Sequence, residues 1–234
     1  MGGDAGATPP VAFEPKLRHS DAMTHAARPR SRLPGGGAPW RCIPVLLAGL
    51  IATSPAARGD EARRWIAGPY SFSDEFGGFT IEGVSGAGTK DSPFFIRQTL
   101  HSASAVTLVI RAERPIRPFD TGTFFANGIL YMRVEARNGS GFGWVEFEFE
   151  LQEILHQPSV FGDGLSFDQR TGDQETISSD RFARFSRDFE PYDKLLFRDG
   201  TVDAGQTVGF SFLITDYTPR LQFYLVQDPR IPFT

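Results

Sequence analysis

The chain has 234 residues, of which 40% are hydrophobic and 22% are charged, and it contains 22 Phe, 25 Gly, 17 Pro and a single Cys. This composition excludes a disordered tail, a collagen-like repeat, a disulfide scaffold and a polytopic membrane protein. It is typical of one strand-rich globular domain that follows an N-terminal segment of different composition.

Residues 1–59 have the pattern of a secretory signal peptide with an unstructured segment before it. They are rich in Ala, Pro, Gly and Arg, and the apolar run at 42–53 follows four arginines. That run is too short to span a bilayer, which needs roughly 20 helical residues, and small residues come after it. The sequence predicts cleavage after Gly59, or alternatively at Ala56 or Ala57, with Met23 as an alternative start.

Cleavage would leave residues 60–234 as one acidic domain. Its 17 Lys and Arg residues stand against 25 Asp and Glu, a formal net charge of −8, and it contains no Cys. A net-acidic domain without a basic block disfavours nucleic acid or anionic lipid as a partner. The prediction is a periplasmic or secreted protein, from a bacterium, with no stable membrane anchor and no disulfide.

Period-two alternation of apolar and polar residues predicts the strands of this domain. In chain order, the predicted strands are 78–82, 94–100, 106–111, 129–134, 145–151, 207–215 and 221–225. The clearest is VEFEFEL at 145–151, in which the apolar residues face the core and the three glutamates face solvent. A segment at 179–189 has Phe at i, i+3 and i+7, which predicts a short helix or an irregular loop.

Turn residues connect three of these segments into a predicted meander. Asn127-Gly128, the preferred pair for a tight type I′ turn, lies between the two phenylalanines at 124–125 and the strand at 129–134. The turn at 138–141 then leads into the strand at 145–151. Seven or eight short strands with almost no helix predict a single antiparallel β-sandwich, immunoglobulin-like or jelly-roll-like, with a barrel as the alternative.

Two segments carry a resemblance to known proteins. Residues 68–79 (GPYSFSDEFGGF) and 86–96 (GAGTKDSPFFI) resemble a group of uncharacterised exported bacterial proteins. The stretch at 199–216 is similar to the late strands of immunoglobulin-like modules. These resemblances imply an exported β-architecture and no particular activity.

Residues with catalytic chemistry are scarce in the predicted domain. His101 and His156 are its two histidines, neither lies near a Gly-x-Ser-x-Gly motif, and no phosphate-binding loop occurs. Two histidines without Cys are too few for a zinc or copper site. The sequence therefore favours a non-enzymatic protein with no cofactor.

Two sets of residues are candidates for ligand binding. Trp144 shares the strand parity of Glu146 and Glu148, so that an exposed ring beside carboxylates would suit a sugar. The competing interpretation is that Trp144 covers the edge of the core. The loop residues Asp163, Asp168, Asp199 and Asp203 are candidates for calcium, which prefers carboxylate and carbonyl oxygens, against ordinary turn chemistry.

Three functions remain open at this level. The first is an exported, non-enzymatic β-sandwich that binds a protein or a component of the cell envelope. The second is a carbohydrate-binding module. The third is a glycan hydrolase that uses carboxylates such as Glu148 and Glu150.

Overall fold

The computed structural model of the chain describes residues 63–168, 176–187 and 189–232. The predicted signal peptide at 1–59 lies outside the described residues. Along the longer strands, buried side chains alternate with more exposed ones. The strands are β1 (Trp65–Ala67), β2 (Tyr70–Ser73), β3 (Phe79–Ser85), β4 (Phe94–Leu100), β5 (Val106–Ala112), β6 (Ile129–Asn138), β7 (Glu146–Gln152), β8 (Leu165–Phe167), β9 (Ser178–Ser179), β10 (Phe182–Ser186), β11 (Lys194–Gly200), β12 (Thr207–Asp216) and β13 (Gln222–Arg230).

These strands form two sheets that pack face to face, which confirms the predicted all-β sandwich. The seven-stranded sheet has the order β1-β2-β5-β13-β7-β11-β10 and is antiparallel throughout. The six-stranded sheet has the order β3-β4-β6-β12-β8, with β9 also paired to β12. Its β4 and β6 are parallel, which departs from the purely antiparallel arrangement that was predicted.

Phenylalanine rings from both sheets fill the space between them. Phe147 and Phe149 on β7 meet Phe210 on β12 at centroid distances of 4.7 and 5.1 Å, and Phe197 on β11 lies 4.9 Å from the same ring. All four rings are at most 1% exposed. A well-buried Phe side chain contributes roughly 1.5–3 kcal/mol, so this cluster is a main source of stability in a domain without disulfides.

The predicted meander is wrong, because its three segments do not pair with one another. Residues 124–125 form no strand, and β6 and β7 belong to different sheets. Gly128 does adopt a positive φ of 76°, but it packs against the end of β12, where Asp216 N donates to Gly128 O at 2.7 Å. The turn after β6 carries the chain between sheets, held by buried Asn138, whose Nδ2 donates to Val202 O.

The prediction of a short helix or an irregular loop at 179–189 is also wrong. Its central part is β10, which pairs with β11, and Phe182 stacks on Phe210 at 6.0 Å. Phe185 lies 6.3 Å from Phe197. Pairing with a neighbouring strand therefore overrides the helical spacing of these phenylalanines.

Candidate binding sites

The three glutamates of β7 lie on the outer face of the seven-stranded sheet, between β11 and β13. Lys194 on β11 reaches Glu148 at 3.2 Å and Glu150 at 2.7 Å, and Arg230 on β13 reaches Glu148 at 2.5 Å. Glu148 is 5% exposed, so the prediction that this glutamate faces solvent is wrong. Cations from both flanking strands cover it, and they compensate the cost of burying its charge.

Trp144 does not lie beside these glutamates. Its side chain is fully buried with its ring 5.4 Å from Phe147, and its indole Nε1 donates to Ser140 Oγ at 3.2 Å. A bend at Val145 separates Trp144 from the start of β7, which breaks the strand parity that the prediction assumed. Trp144 therefore belongs to the core, where its ring cannot stack on a sugar.

A cleft of about 690 Å³ opens where β7 begins. Val145 and Glu146 line it from the centre, and the ends of β11 and β13 line it from either side. Its lining residues are Val145, Glu146, Arg198, Asp199, Gly200, Asp228, Pro229, Arg230, Ile231 and Pro232. The volume lies within the range of small-ligand pockets, about 300–1,000 Å³.

The charged side chains that line the cleft differ in how well their charges are compensated. Burial raises the pKa of Asp228 above its ordinary value, and the charge of Glu148 adds to this effect. Asp199 has a φ of 61°, and its carboxylate lies 3.2 Å from Arg184 on the neighbouring β10. The side chain of Arg198 has no hydrogen-bond or ion-pair partner within the described ranges.

The four aspartates predicted to bind calcium lie on different segments, and Asp199 lies within β11. Asp163 and Asp168 flank β8, where Asp163 accepts hydrogen bonds from Ser159 Oγ and two backbone amides. Asp199 lines the cleft, and Asp203 forms a turn before β12. No group of three or more His, Cys, Asp or Glu side chains among the described residues is arranged to hold a metal ion. The calcium site stays a prediction.

A second surface lies at the opposite end of β7. Four loops meet there, 113–128, 153–164, 189–193 and 217–221, and we call their outer side the end surface. Of the twelve large hydrophobic residues that are exposed in the described chain, eight lie on these loops. They are Phe119, Phe124, Ile154, Val160, Phe161, Tyr192, Tyr217 and Leu221.

Contacts between neighbouring loops fix the end surface. Phe161 N donates to Pro191 O at 3.2 Å, and Tyr217 N donates to Gly164 O at 2.9 Å. The rings of Phe119 and Tyr217 lie 5.4 Å apart. These contacts join all four loops in series, so that the exposed side chains are held in one arrangement before any partner binds.

Phe119 combines two features that do not favour stability. Its φ is 60°, a left-handed conformation that is unusual for a bulky side chain, and it is 53% exposed. Backbone strain of this kind clusters at functional sites. Sequence reasoning missed this surface, although Phe residues between turn residues, as in PFDTG and SVFGDG, were a visible signal.

Two carboxylates beneath the end surface have unusual proton affinity. Burial raises the pKa of Asp193 and of Asp216 to about 6. The charge of Asp163 contributes to both shifts, and Glu153 contributes to that of Asp216. Asp193 accepts a hydrogen bond from Ser166 Oγ, whereas its Oδ2 is buried with no hydrogen-bond partner in the described chain.

Comparison with protein-family models, with curated proteins and with solved structures found no match to the chain. Among the described residues, no helix is long and apolar enough to cross a membrane.

Proposed function

We propose that the protein is an exported, non-enzymatic β-sandwich whose end surface binds a protein partner. The observation that carries this proposal is the concentration of exposed apolar side chains on four loops at one end of the sandwich. Scattered single apolar residues are normal on a protein surface, but a cluster of them marks an interaction site.

The chemistry of the end surface supports a protein as the partner. Aromatic residues and arginine are enriched at the centres of protein interfaces, where they carry most of the binding energy. Here Phe161 and Leu221 are more than 70% exposed, and Arg114 lies over the ring of Phe124 at 5.2 Å. Because hydrogen bonds already fix these loops, little conformational entropy would be lost on binding.

Export is the second part of the proposal, and it rests on the leader-like pattern of residues 1–59. An acidic domain without Cys suits the periplasm or the extracellular medium, since it needs no disulfide and has no thiol to oxidise. Its partner would be a protein of the same compartment or of the cell envelope.

A carbohydrate-binding module is the second candidate. Tyr192 and Tyr217 lie on the end surface and are 47% and 38% exposed, so their rings are accessible to a sugar. Both candidates place the ligand on the same four loops. They differ in the ligand that these loops would capture.

Site-specific photocrosslinking in cells that express the full chain tests the proposal. A benzophenone side chain would replace Phe161 on the end surface or, as the matched control, Phe142, which is 58% exposed near the start of β7. We expect one discrete protein adduct from position 161 and none of the same mass from position 142. The same adduct from both positions, or none from position 161, would contradict the proposal.

Affinity measurements with the purified partner complete the test. Truncation of an aromatic hot-spot residue costs about 2 kcal/mol or more, which is roughly 30-fold in affinity. We expect such a loss from Phe161→Ala and from Phe119→Ala, whereas Phe142→Ala should leave affinity within about twofold. Binding of soluble glycans in place of any protein would favour the second candidate.

A further inference from the structure

The cleft at the start of β7 is separate from the end surface, and each of its two walls carries one basic and one acidic residue. One wall is the end of β11, with Arg198 and Asp199, and the other is the end of β13, with Asp228 and Arg230. Val145, Pro229, Ile231 and Pro232 add apolar surface to the same cleft. A ligand that fits it must therefore satisfy charged groups on two sides and an apolar lining.

The β11 wall offers a free positive charge. Arg198 is exposed, and no acidic residue of the described chain forms an ion pair with it. The residue opposite it on β10 is another arginine, Arg184, which already pairs with Asp199 at 3.2 Å. Like charges on directly opposed strand positions repel each other, so an anionic group bound at Arg198 would be stabilised.

The β13 wall and the adjoining part of β7 offer negative charge. Arg230 is shared among three carboxylates, at 2.5 Å from Glu148, 3.8 Å from Glu146 and 4.0 Å from Asp228. Its closest contact is with Glu148, which leaves Glu146 and Asp228 with weaker compensation. A cationic group between these two carboxylates would complete their pairing.

From this arrangement we propose that the cleft binds a short peptide with free termini, its carboxylate at Arg198 and its ammonium group at Glu146 and Asp228. Arg198 and Asp228 lie on strands that flank β7 on opposite sides. Phe197 and Pro229 both lie opposite Phe147, so Arg198 and Asp228 are offset by two residues along the strands. Two strand spacings together with this offset separate them by about 12 Å. An extended chain spans about 3.3–3.6 Å per residue, so a peptide of three or four residues matches this separation.

Isothermal titration calorimetry with three probes tests each end of the peptide. Triglycine has both charges, N-acetyl-triglycine lacks the ammonium group, and triglycine amide lacks the carboxylate. We expect triglycine to bind the full-length protein at least about tenfold more tightly than either blocked peptide, since each blocked peptide leaves one wall of the cleft uncompensated. No binding of triglycine at 10 mM, or equal binding of all three probes, would overturn the proposal.

Two substitutions assign the ends of the peptide. Arg198→Gln should remove the preference for triglycine over its amide, and Asp228→Asn should remove the preference over the acetylated form. Glu146→Gln is the second variant for the ammonium end, in case Asp228→Asn does not fold. Arg97→Gln, an exposed arginine on β4 of the other sheet, is the matched control and should keep both preferences. If the cleft variants keep the preference for triglycine over both its amide and its acetylated form, the assignment of the two ends is refuted.

The outcome is independent of the proposed protein partner. Phe161→Ala lies on the end surface and should leave triglycine binding unchanged, whereas Arg198→Gln should leave partner binding unchanged. If triglycine does not bind to the cleft, only the proposed peptide site is refuted. If no protein binds to the end surface, only the proposed protein-binding function is refuted.

Discussion

A pair of buried glutamines joins the two sheets through the core. Gln98 on β4 and Gln227 on β13 are 1% and 0% exposed. Gln98 Nε2 donates to Gln227 Oε1, and Gln227 Nε2 donates to Gln98 Oε1 at 3.3 Å. Each amide therefore provides a hydrogen-bond partner for the other within the core. The two reciprocal hydrogen bonds offset the free-energy cost of burying both amide groups.

Replacing one glutamine by methionine, its unbranched apolar counterpart, should destabilise the fold, because the remaining amide is left buried without a partner. We expect Gln98→Met or Gln227→Met to cost about 1–3 kcal/mol in the free energy of unfolding. The double variant should recover most of that loss, since neither polar group remains. Urea denaturation of the four proteins measures this coupling. Additive losses in the double variant would show that the pair is not coupled.

At single positions, the sequence predicts burial well where alternation and hydrophobicity agree. Phe147, Phe149 and Phe210 lie in the core as predicted. Burial of Glu148 was not predictable, because its compensating cations, Lys194 and Arg230, come from strands that are distant along the chain. The burial of Trp144 depends on the bend at Val145, and a periodic pattern of apolar and polar residues does not reveal such a bend.

At the scale of elements, the charges on the outer face join three strands of the seven-stranded sheet. Lys194 on β11 bridges Glu148 and Glu150 on β7, and Arg230 on β13 contacts Glu148 from the other side. Burial alone would lower the pKa of Lys194, but its contacts with Glu150 and Glu148 outweigh that effect and raise it. These contacts hold the three strands together across the face that the core does not cover.

Lys194→Met should therefore weaken the sheet more than the loss of an exposed ion pair. Glu148 would remain buried with Arg230 as its one close cation, and we expect a loss of about 2 kcal/mol in the free energy of unfolding. Arg184→Met is the matched control, because it breaks the exposed pair with Asp199 and should cost less than about 1 kcal/mol. Equal losses in chemical denaturation would contradict the structural role of Lys194.

Most long strands were predictable from sequence, although the seven-residue β11 (Lys194–Gly200) was not predicted, and the assignment of strands to sheets was not predictable. The predicted strand at 94–100 coincides with β4, and those at 106–111 and 207–215 lie within β5 and β12. β1, β8 and β9 have two or three residues, too few for a period to be recognised. The turn between β6 and β7 looks like a hairpin in sequence, but buried Asn138 holds a crossing between sheets, which is a property of tertiary packing.

At the scale of the whole molecule, the two candidate sites lie at opposite ends of the same central strand. The cleft lies where β7 begins, and the end surface lies where β7 ends. Two charged residues of the cleft were named from the sequence, Glu146 as a candidate for sugar binding and Asp199 as a candidate for calcium. The sequence shows Phe between turn residues on two of the loops, but it does not show that four loops distant along the chain assemble the end surface.

Protonation of the carboxylates beneath the end surface links the stability of the whole fold to pH. The pKa of Asp193 and of Asp216 is raised from 3.8 to about 6 by burial. Between pH 4 and 6 the folded state therefore binds more protons than the unfolded state at these two sites. The stability that the protonated forms of these two groups contribute is fully present below about pH 4 and is lost as the pH rises through about 6. At higher pH it does not change further.

Replacing both aspartates by asparagine should remove this pH dependence. Asp193→Asn/Asp216→Asn should match the wild type in melting temperature near pH 4 and exceed it near pH 7, since only the wild type has to ionise two buried groups. Thermal melts between pH 4 and 8 measure the difference. Glu75→Gln is the control of opposite sign, because a hydrogen bond from Arg111 lowers the pKa of Glu75, so its contribution is lost as the pH falls. A difference between the double variant and the wild type that does not change from pH 4 to 7 would contradict the assignment of these two groups.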